Sequence, residues 1–260
     1  MSFFCPKSDW LHAAFAVWPC LLTIILFSSC QMPECKPAQK AMPPATVAST
    51  AISFKDIIPA VEQQMLDMGL VDVRRIDSTI MTDIRYSDTN NFLKQDIYGD
   101  FNKAYLQPDV AEKVKKAQAY LRELHPAYRL IIFDAARPLV FQQMIWDSLK
   151  MPVSEKVKYA CSPRNGSLHN YGAAVDVCIL DENHQLLDMG TPYDFFGPLA
   201  YPVKEAQFLA DGSLTQQQVD NRRLLRQVMY KAGFFNIQTE WWHFNSCTRF
   251  EASQKYKIID

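Results

Sequence analysis

Asp176 constrains this chain more than any other residue. It interrupts Ala173-Ala174-Val175-Asp176-Val177-Cys178-Ile179-Leu180, a run apolar on both alternating faces, and such a run reads as a strand buried on both sides. An ionised carboxylate cannot stay in that setting alone. Burying an isolated charge is expensive, and the usual remedies are an ion pair, a metal ion or protonation. From Asp176 by itself a salt bridge to an arginine is the better reading. His169, seven residues earlier, shifts the balance toward a metal, because Gly172 lies between them and lets a loop histidine and a strand carboxylate converge.

A second imidazole and a second carboxylate come much later, in Glu240-Trp241-Trp242-His243. The chain has five histidines. His12 lies in an apolar leader, His125 precedes Pro126 at a helix end, and His184, within Asp181-Glu182-Asn183-His184-Gln185, reads as part of a turn. His169, His243 and Asp176 remain. Two neutral imidazoles and one carboxylate are a common ligand set for catalytic Zn²⁺, since three protein ligands leave the fourth tetrahedral position to water. One zinc ion per chain is therefore expected, with Glu240 left over as a base. Residues three apart share a face of a helix but point to opposite faces of a regular strand. The aromatic context favours a strand carrying Glu240 and His243, so the backbone there must bend or bulge, or one side chain must act from an outer shell. At least one of Trp241 and Trp242 is expected in the core.

The Ser-x-His-x6-Asp pattern from Ser167 to Asp176, followed by Glu240-Trp241-Trp242-His243, resembles the zinc D-alanyl-D-alanine dipeptidases of the vancomycin-resistance type and their D,D-carboxypeptidase relatives. Further similar segments follow in the same order: Ile84-Arg85-Tyr86 with Asn90-Asn91-Phe92, then Phe133-Asp134-Ala135-Ala136-Arg137-Pro138, Met189-Gly190-Thr191-Pro192-Tyr193-Asp194, and Asn221-Arg222-Arg223-Leu224-Leu225. The resemblance runs from about Ile76 to Phe250. The ligand motifs alone give only the superfamily, and the Met-Gly-Thr-Pro-Tyr-Asp block narrows it to dipeptidases. The resemblance implies that His169, Asp176 and His243 hold zinc and that Glu240 carries the proton from water to the leaving amine. It further implies that Arg137 stabilises the oxyanion, that Asp194 binds the substrate ammonium, and that Tyr86 and Ser167 lie beside the dipeptide. One departure is visible: Ala135-Ala136 precede Arg137 where the family usually has Gly-Tyr.

The same residues carry bland readings as well. Arg137 could form a surface salt bridge with Asp134 at a helix start. Asp194 reads equally well as a turn or helix cap after Thr191-Pro192. Tyr86 ends the alternating stretch Ile80, Thr82, Ile84, and plain strand packing would explain it. A free dipeptide is a zwitterion, however, and its pocket needs an anion for the ammonium. Asp194 as that anion would also select by length, because a longer peptide leaves the charge unpaired.

An α+β fold is expected, with a small, mostly antiparallel sheet holding the metal and helices packed against it. Val110, Val114, Ala117, Leu121 and Leu124 recur at helical spacing after Pro108-Asp109, and Tyr128 to Phe133 follows as a strand. A second helix runs from Pro138 to about Leu149. A later amphipathic helix carries Val219, Leu225, Val228 and Met229, is stopped by Gly233, and leads into the strand with Glu240 and His243.

The N-terminus reads as an address. The chain is largely apolar from Trp10 to Phe27 and then gives Ser28-Ser29-Cys30, small residues ahead of a cysteine as at a lipoprotein processing site. Residues 1–29 are expected to be a signal peptide and 30–53 a flexible proline-rich linker, with the catalytic domain at 54–260. This implies export to the periplasmic side of a bacterial membrane and a lipid at Cys30. The rival is a retained membrane anchor, weakened by the short run and by Pro19. Of seven cysteines, Cys35, Cys161, Cys178 and Cys247 would then remain, and spacing does not set their pairing. The formal net charge is -1 and no basic block is interleaved with aromatics, which argues against nucleic acid. A small dipeptide is the expected substrate, cleaved during wall turnover or scavenging. The alternatives are a murein D,D- or L,D-carboxypeptidase or endopeptidase on the same scaffold, and a non-catalytic zinc module that binds peptidoglycan peptides.

Overall fold

A computed structural model describes residues 54–260. The expected leader, the linker, Cys30 and Cys35 lie outside the described residues. In chain order the elements are α1 (Phe54–Asp67), β1 (Val71–Asp72), α2 (Val73–Ile76), β2 (Met81–Thr82), β3 (Tyr105–Leu106), α3 (Pro108–Leu124), β4 (Arg129–Asp134) and α4 (Leu139–Ser148). They continue with α5 (Val153–Lys156), β5 (Ala174–Leu180), α6 (Glu205–Ala210), α7 (Gln216–Lys231), β6 (Phe235–Asn236), β7 (His243–Asn245) and α8 (Arg249–Lys255). A five-stranded sheet has the order β2-β4-β5-β7-β6, with β2 parallel to β4 and every other pair antiparallel; β1 and β3 form a separate two-stranded sheet. The fold is α+β and its sheet is mostly antiparallel, as the alternation of apolar segments predicts.

Local chemistry explains the boundaries. Pro108 and Asp109 open α3 with a residue that lacks the orphan N–H and an acid at the positive end of the helix dipole. Val110, Val114, Ala117 and Leu121 bury one stripe of that helix, which packs on β4 and α7. Thr215 and Gln218 cap α7 reciprocally, and Gly233 follows its end at φ +89°. All seven residues of β5 are buried, as expected of a central strand.

Two local expectations are corrected. Tyr86 is not in a strand: β2 ends at Thr82, and Tyr86 sits in a 3-10 turn, Arg85–Ser87. Its carbonyl accepts the N–H groups of Ile97 and Tyr98, so the backbone is committed to the following loop rather than to the sheet. Glu240 is likewise outside the strand that carries His243. Asn236 donates through Nδ2 to the carbonyls of both Glu240 (2.8 Å) and His243 (2.7 Å), and this clamp holds a bend in front of β7. The bend removes the alternation that would have sent Glu240 and His243 to opposite faces.

Candidate metal centre and active site

The site begins as one rung of the sheet. Asp134 of β4 is the register partner of Asp176 on β5, and Asp176 is the partner of His243 on β7. Directly opposed residues on neighbouring strands project to the same face, so sheet register alone brings these three side chains together. A break in register between Ile132 and Asp134 helps to re-aim the end of β4. His169 arrives from outside the sheet, on a 3-10 turn, Leu168–Tyr171, which Gly172 ends at φ +64°. A Cβ at Gly172 would also lie 3.0 Å from Leu70 Cδ2. Glycine is therefore required where the chain turns from the His169 loop into β5.

Three potential ligand atoms converge. His169 Nε2 lies 3.1 Å from His243 Nδ1 and 3.4 Å from Asp176 Oδ1, and His243 Nδ1 lies 3.0 Å from the same Oδ1. A tetrahedral site with bonds of 2.0 to 2.2 Å has edges of about 3.3 to 3.6 Å, so the triangle is close to one face of a metal tetrahedron. The outer nitrogens are engaged in the sense that a metal needs. His169 Nδ1–H donates to the Ala135 carbonyl (2.6 Å) and His243 Nε2–H donates to Asn245 Oδ1 (2.8 Å). Each bond turns the ring's other nitrogen inward, where the neutral imidazole can offer a lone pair to a metal. Two inward imidazole nitrogens and a carboxylate oxygen facing one another suit a cation between them, a proton in the metal-free protein and a metal ion in the loaded one. The donor set therefore fits a divalent metal. Asp176 Oδ2 accepts the Tyr193 hydroxyl at 3.0 Å. Burial would raise the Asp176 carboxyl, but the two imidazoles outweigh it and hold the group well below the usual carboxylate range.

Around this triangle stand the remaining predicted residues. Glu240 Oε2 is 3.9 Å from His243 Nδ1, and burial, opposed by His243 but aided by Asp176, raises its carboxyl above the ordinary value. Arg137 is buried rather than at the surface. Its Nε donates to Asp134 Oδ2 (2.8 Å), its Nη1 donates to Gln142 Oε1 (3.2 Å), and its Nη2 lies 4.0 Å from Asp176 Oδ2. The Asp134 contact expected as a surface salt bridge is thus a buried anchor that fixes the guanidinium plane, and Tyr98 donates to the other Asp134 oxygen at 3.1 Å.

Asp194 adopts φ +59°, a left-handed conformation uncommon outside glycine, and its Oδ2 accepts the Tyr86 hydroxyl at 3.1 Å. Burial and then the charge of Asp176 push its carboxyl well above the carboxylate range. The Tyr86 ring faces the Arg137 guanidinium at 5.2 Å. Ser167 caps the His169 turn, its Oγ accepting the His169 N–H at 3.1 Å. Trp241 and Trp242 are both buried, and Trp241 Nε1–H donates to Thr191 Oγ1 at 2.8 Å. His184 sits in a turn at φ +59°. Cys161, Cys178 and Cys247 are free thiols.

Four functional positions escaped the sequence reading: Asp134 as anchor, Tyr193 and Asn245 behind the ligands, and the Ala135 carbonyl behind His169. Asp134 was paired with Arg137 only as a surface contact and Tyr193 stood in a quoted block without a role, while Asn245 left a local signal, since it stands two residues from His243 and shares its face of the strand.

A family model described as D-Ala-D-Ala dipeptidase, of the M15 peptidases, matches residues 66–258. Similar proteins include the D-alanyl-D-alanine dipeptidase of Escherichia coli K12, 29% identical over 175 residues, which cover 67% of this chain and 83% of that one. The Synechocystis protein of the same name is 27% identical over 168 residues (54% of this chain, 68% of that one). Its Enterococcus faecium counterpart is 23% identical over 194 residues (69% and 92%). The largely buried His-Asp-His triangle and the family match over most of the chain lead to one conclusion: this protein belongs to the D-Ala-D-Ala dipeptidase family of M15 peptidases and is a metallopeptidase.

Proposed function

We propose that this protein hydrolyses free D-alanyl-D-alanine to two D-alanines in a zinc-dependent reaction at the cell envelope. The observation that carries the reading is the triangle of ligand atoms with Glu240 Oε2 3.9 Å from one of them, an arrangement with a place left for water and a base beside it. His169, Asp176 and His243 would hold the zinc, which when bound lowers the pKa of water toward about 7 and polarises a carbonyl. Glu240 takes the proton from the attacking water and returns it to the leaving amine. Arg137, fixed by Asp134 and Gln142, offers its free N–H groups to the oxyanion without reorganising. Asp194, whose carboxyl is costly to ionise alone, meets the substrate ammonium; Tyr86 holds it in place. Ser167 borders the dipeptide from the His169 turn.

The apolar stretch to Phe27 and the small residues before Cys30 support export with lipidation. An exported enzyme would meet dipeptide shed from the wall rather than a cytoplasmic precursor pool. Cys30→Ser should move the protein from the membrane fraction to the soluble exported fraction; an unchanged distribution would remove the lipid from the scheme.

The deciding assay is a panel of D and L dipeptides and tripeptides, with and without a chelator. D-alanyl-D-alanine should be cleaved, L-alanyl-L-alanine should not, and chelation should stop the reaction. In the same panel Arg137→Ala should lose about 10² to 10³ in kcat, a usual cost of one oxyanion donor. Tripeptides cleaved as readily as dipeptides would make this a carboxypeptidase. Tight peptide binding without any cleavage would make it a binding module.

A further inference from the structure

Three aromatic rings from distant segments meet beside the Tyr86–Asp194 pair. Phe92 packs edge-on against Phe196 at 4.8 Å between centroids, Tyr159 lies 5.2 Å from Phe196, and Tyr159 stacks on Phe92 at 6.4 Å. Phe92 also meets the Tyr86 ring edge-on at 6.5 Å. Contacts thus run outward from the metal ligands through Arg137 and Tyr86 to this cluster.

Each ring is held differently. Phe92 is on a loop pinned by Asn91, which is buried and donates through Nδ2 to the carbonyls of Arg85, Asp88 and Gln95. Phe196 belongs to the strained turn: Tyr193 reaches Asp176, Asp194 reaches Tyr86 and Phe196 reaches Phe92, so one left-handed residue orients a metal ligand, a charge and a ring. Tyr159 follows α5, a helix with no buried residue, and is 37% exposed. It is the member that can be removed with least harm to the fold.

We infer that Phe92, Tyr159 and Phe196 form the end wall of the substrate cleft and set its length limit. The inference rests on the proposed placement of the substrate ammonium at Asp194. A residue added to the substrate amine must pass the Tyr86–Asp194 pair, and there it meets three packed rings instead of solvent. Charge selection by Asp194, the length filter that the sequence suggested, is incomplete on its own, because a buried carboxyl can take up a proton when no ammonium faces it. The wall excludes by volume whatever the protonation state.

The test compares kcat/KM for D-alanyl-D-alanine, D-alanyl-D-alanyl-D-alanine and N-acetyl-D-alanyl-D-alanine in the wild type, Tyr159→Ala, Phe92→Ala and Tyr159→Phe. Tyr159→Ala should raise the tripeptide-to-dipeptide ratio by at least about tenfold, the range that steric changes in a pocket produce. Tyr159→Phe, which keeps the ring, should hold the wild-type ratio. An unchanged ratio in both alanine variants, with dipeptide cleavage intact, overturns the wall. The acetylated dipeptide carries added bulk without an ammonium and should gain in Tyr159→Ala in the same direction as the tripeptide, because the wall acts on volume. A wild type that fails to cleave the dipeptide sinks the proposed function instead.

Discussion

Glu240→Gln should leave the protein folded and metal-loaded while lowering kcat for D-alanyl-D-alanine by about 10² to 10⁴, the usual contribution of a positioned general base. Glutamine matches glutamate in shape and keeps the backbone carbonyl that Asn236 clamps, so the bend before β7 survives. What disappears is the ability to accept a proton. Glu240 is not one of the three converging ligand residues, so metal content measured by atomic absorption should stay near one ion per chain. A second readout separates a base from a structural role. The acidic limb of kcat/KM against pH reports protonation of a base whose carboxyl burial has raised; activity rises as pH climbs through that limb, and the glutamine variant should lack it. Unchanged hydrolysis would remove Glu240 from the mechanism.

The sequence showed which residues matter more clearly than how they are held. Asp176 announced itself because a charge inside an all-apolar strand has few remedies, and the helices starting at Pro108 and ending before Gly233 followed from caps and periodicity. Asp134 was harder to read. Its importance comes from standing beside Asp176 in the sheet, and register between strands some forty residues apart is a tertiary property that periodicity does not contain. The bend at Glu240 was hidden for a similar reason: aromatic neighbours favour a strand, and the side chain that overrides them, Asn236, acts across a turn. Tyr86 looked like a strand residue because alternation continued through Ile84, yet its hydroxyl and carbonyl are both engaged elsewhere. Local pattern thus located the chemistry, while long-range hydrogen bonds decided its geometry.

His243→Ala should abolish both metal retention and hydrolysis, and the wild-type metal affinity should carry a pH signature of that one imidazole. In the metal-free protein burial would lower the His243 pKa, but the hydrogen bond and charge of Asp176 outweigh it and push the value up to about 9. At neutral pH its Nδ1 therefore holds a proton directed at Asp176 Oδ1, 3.0 Å away. A metal ion must displace that proton, because only the neutral imidazole is a ligand. The sign follows: below pH 9 each unit of acidification should weaken apparent affinity about tenfold through this group, and above it the dependence should flatten. The same raised pKa stabilises the metal-free fold fully below the unfolded value of about 6.5, and that contribution is lost as pH rises through 9. Added metal should consequently raise the melting temperature more at pH 9 than at pH 6, since binding to the folded state stabilises it by mass action. Calorimetry in two buffers of different ionisation enthalpy counts the proton directly. Release of at least about one proton between pH 7 and 8 is expected, the His243 proton together with any from metal-bound water; no release would mean that His243 is already neutral.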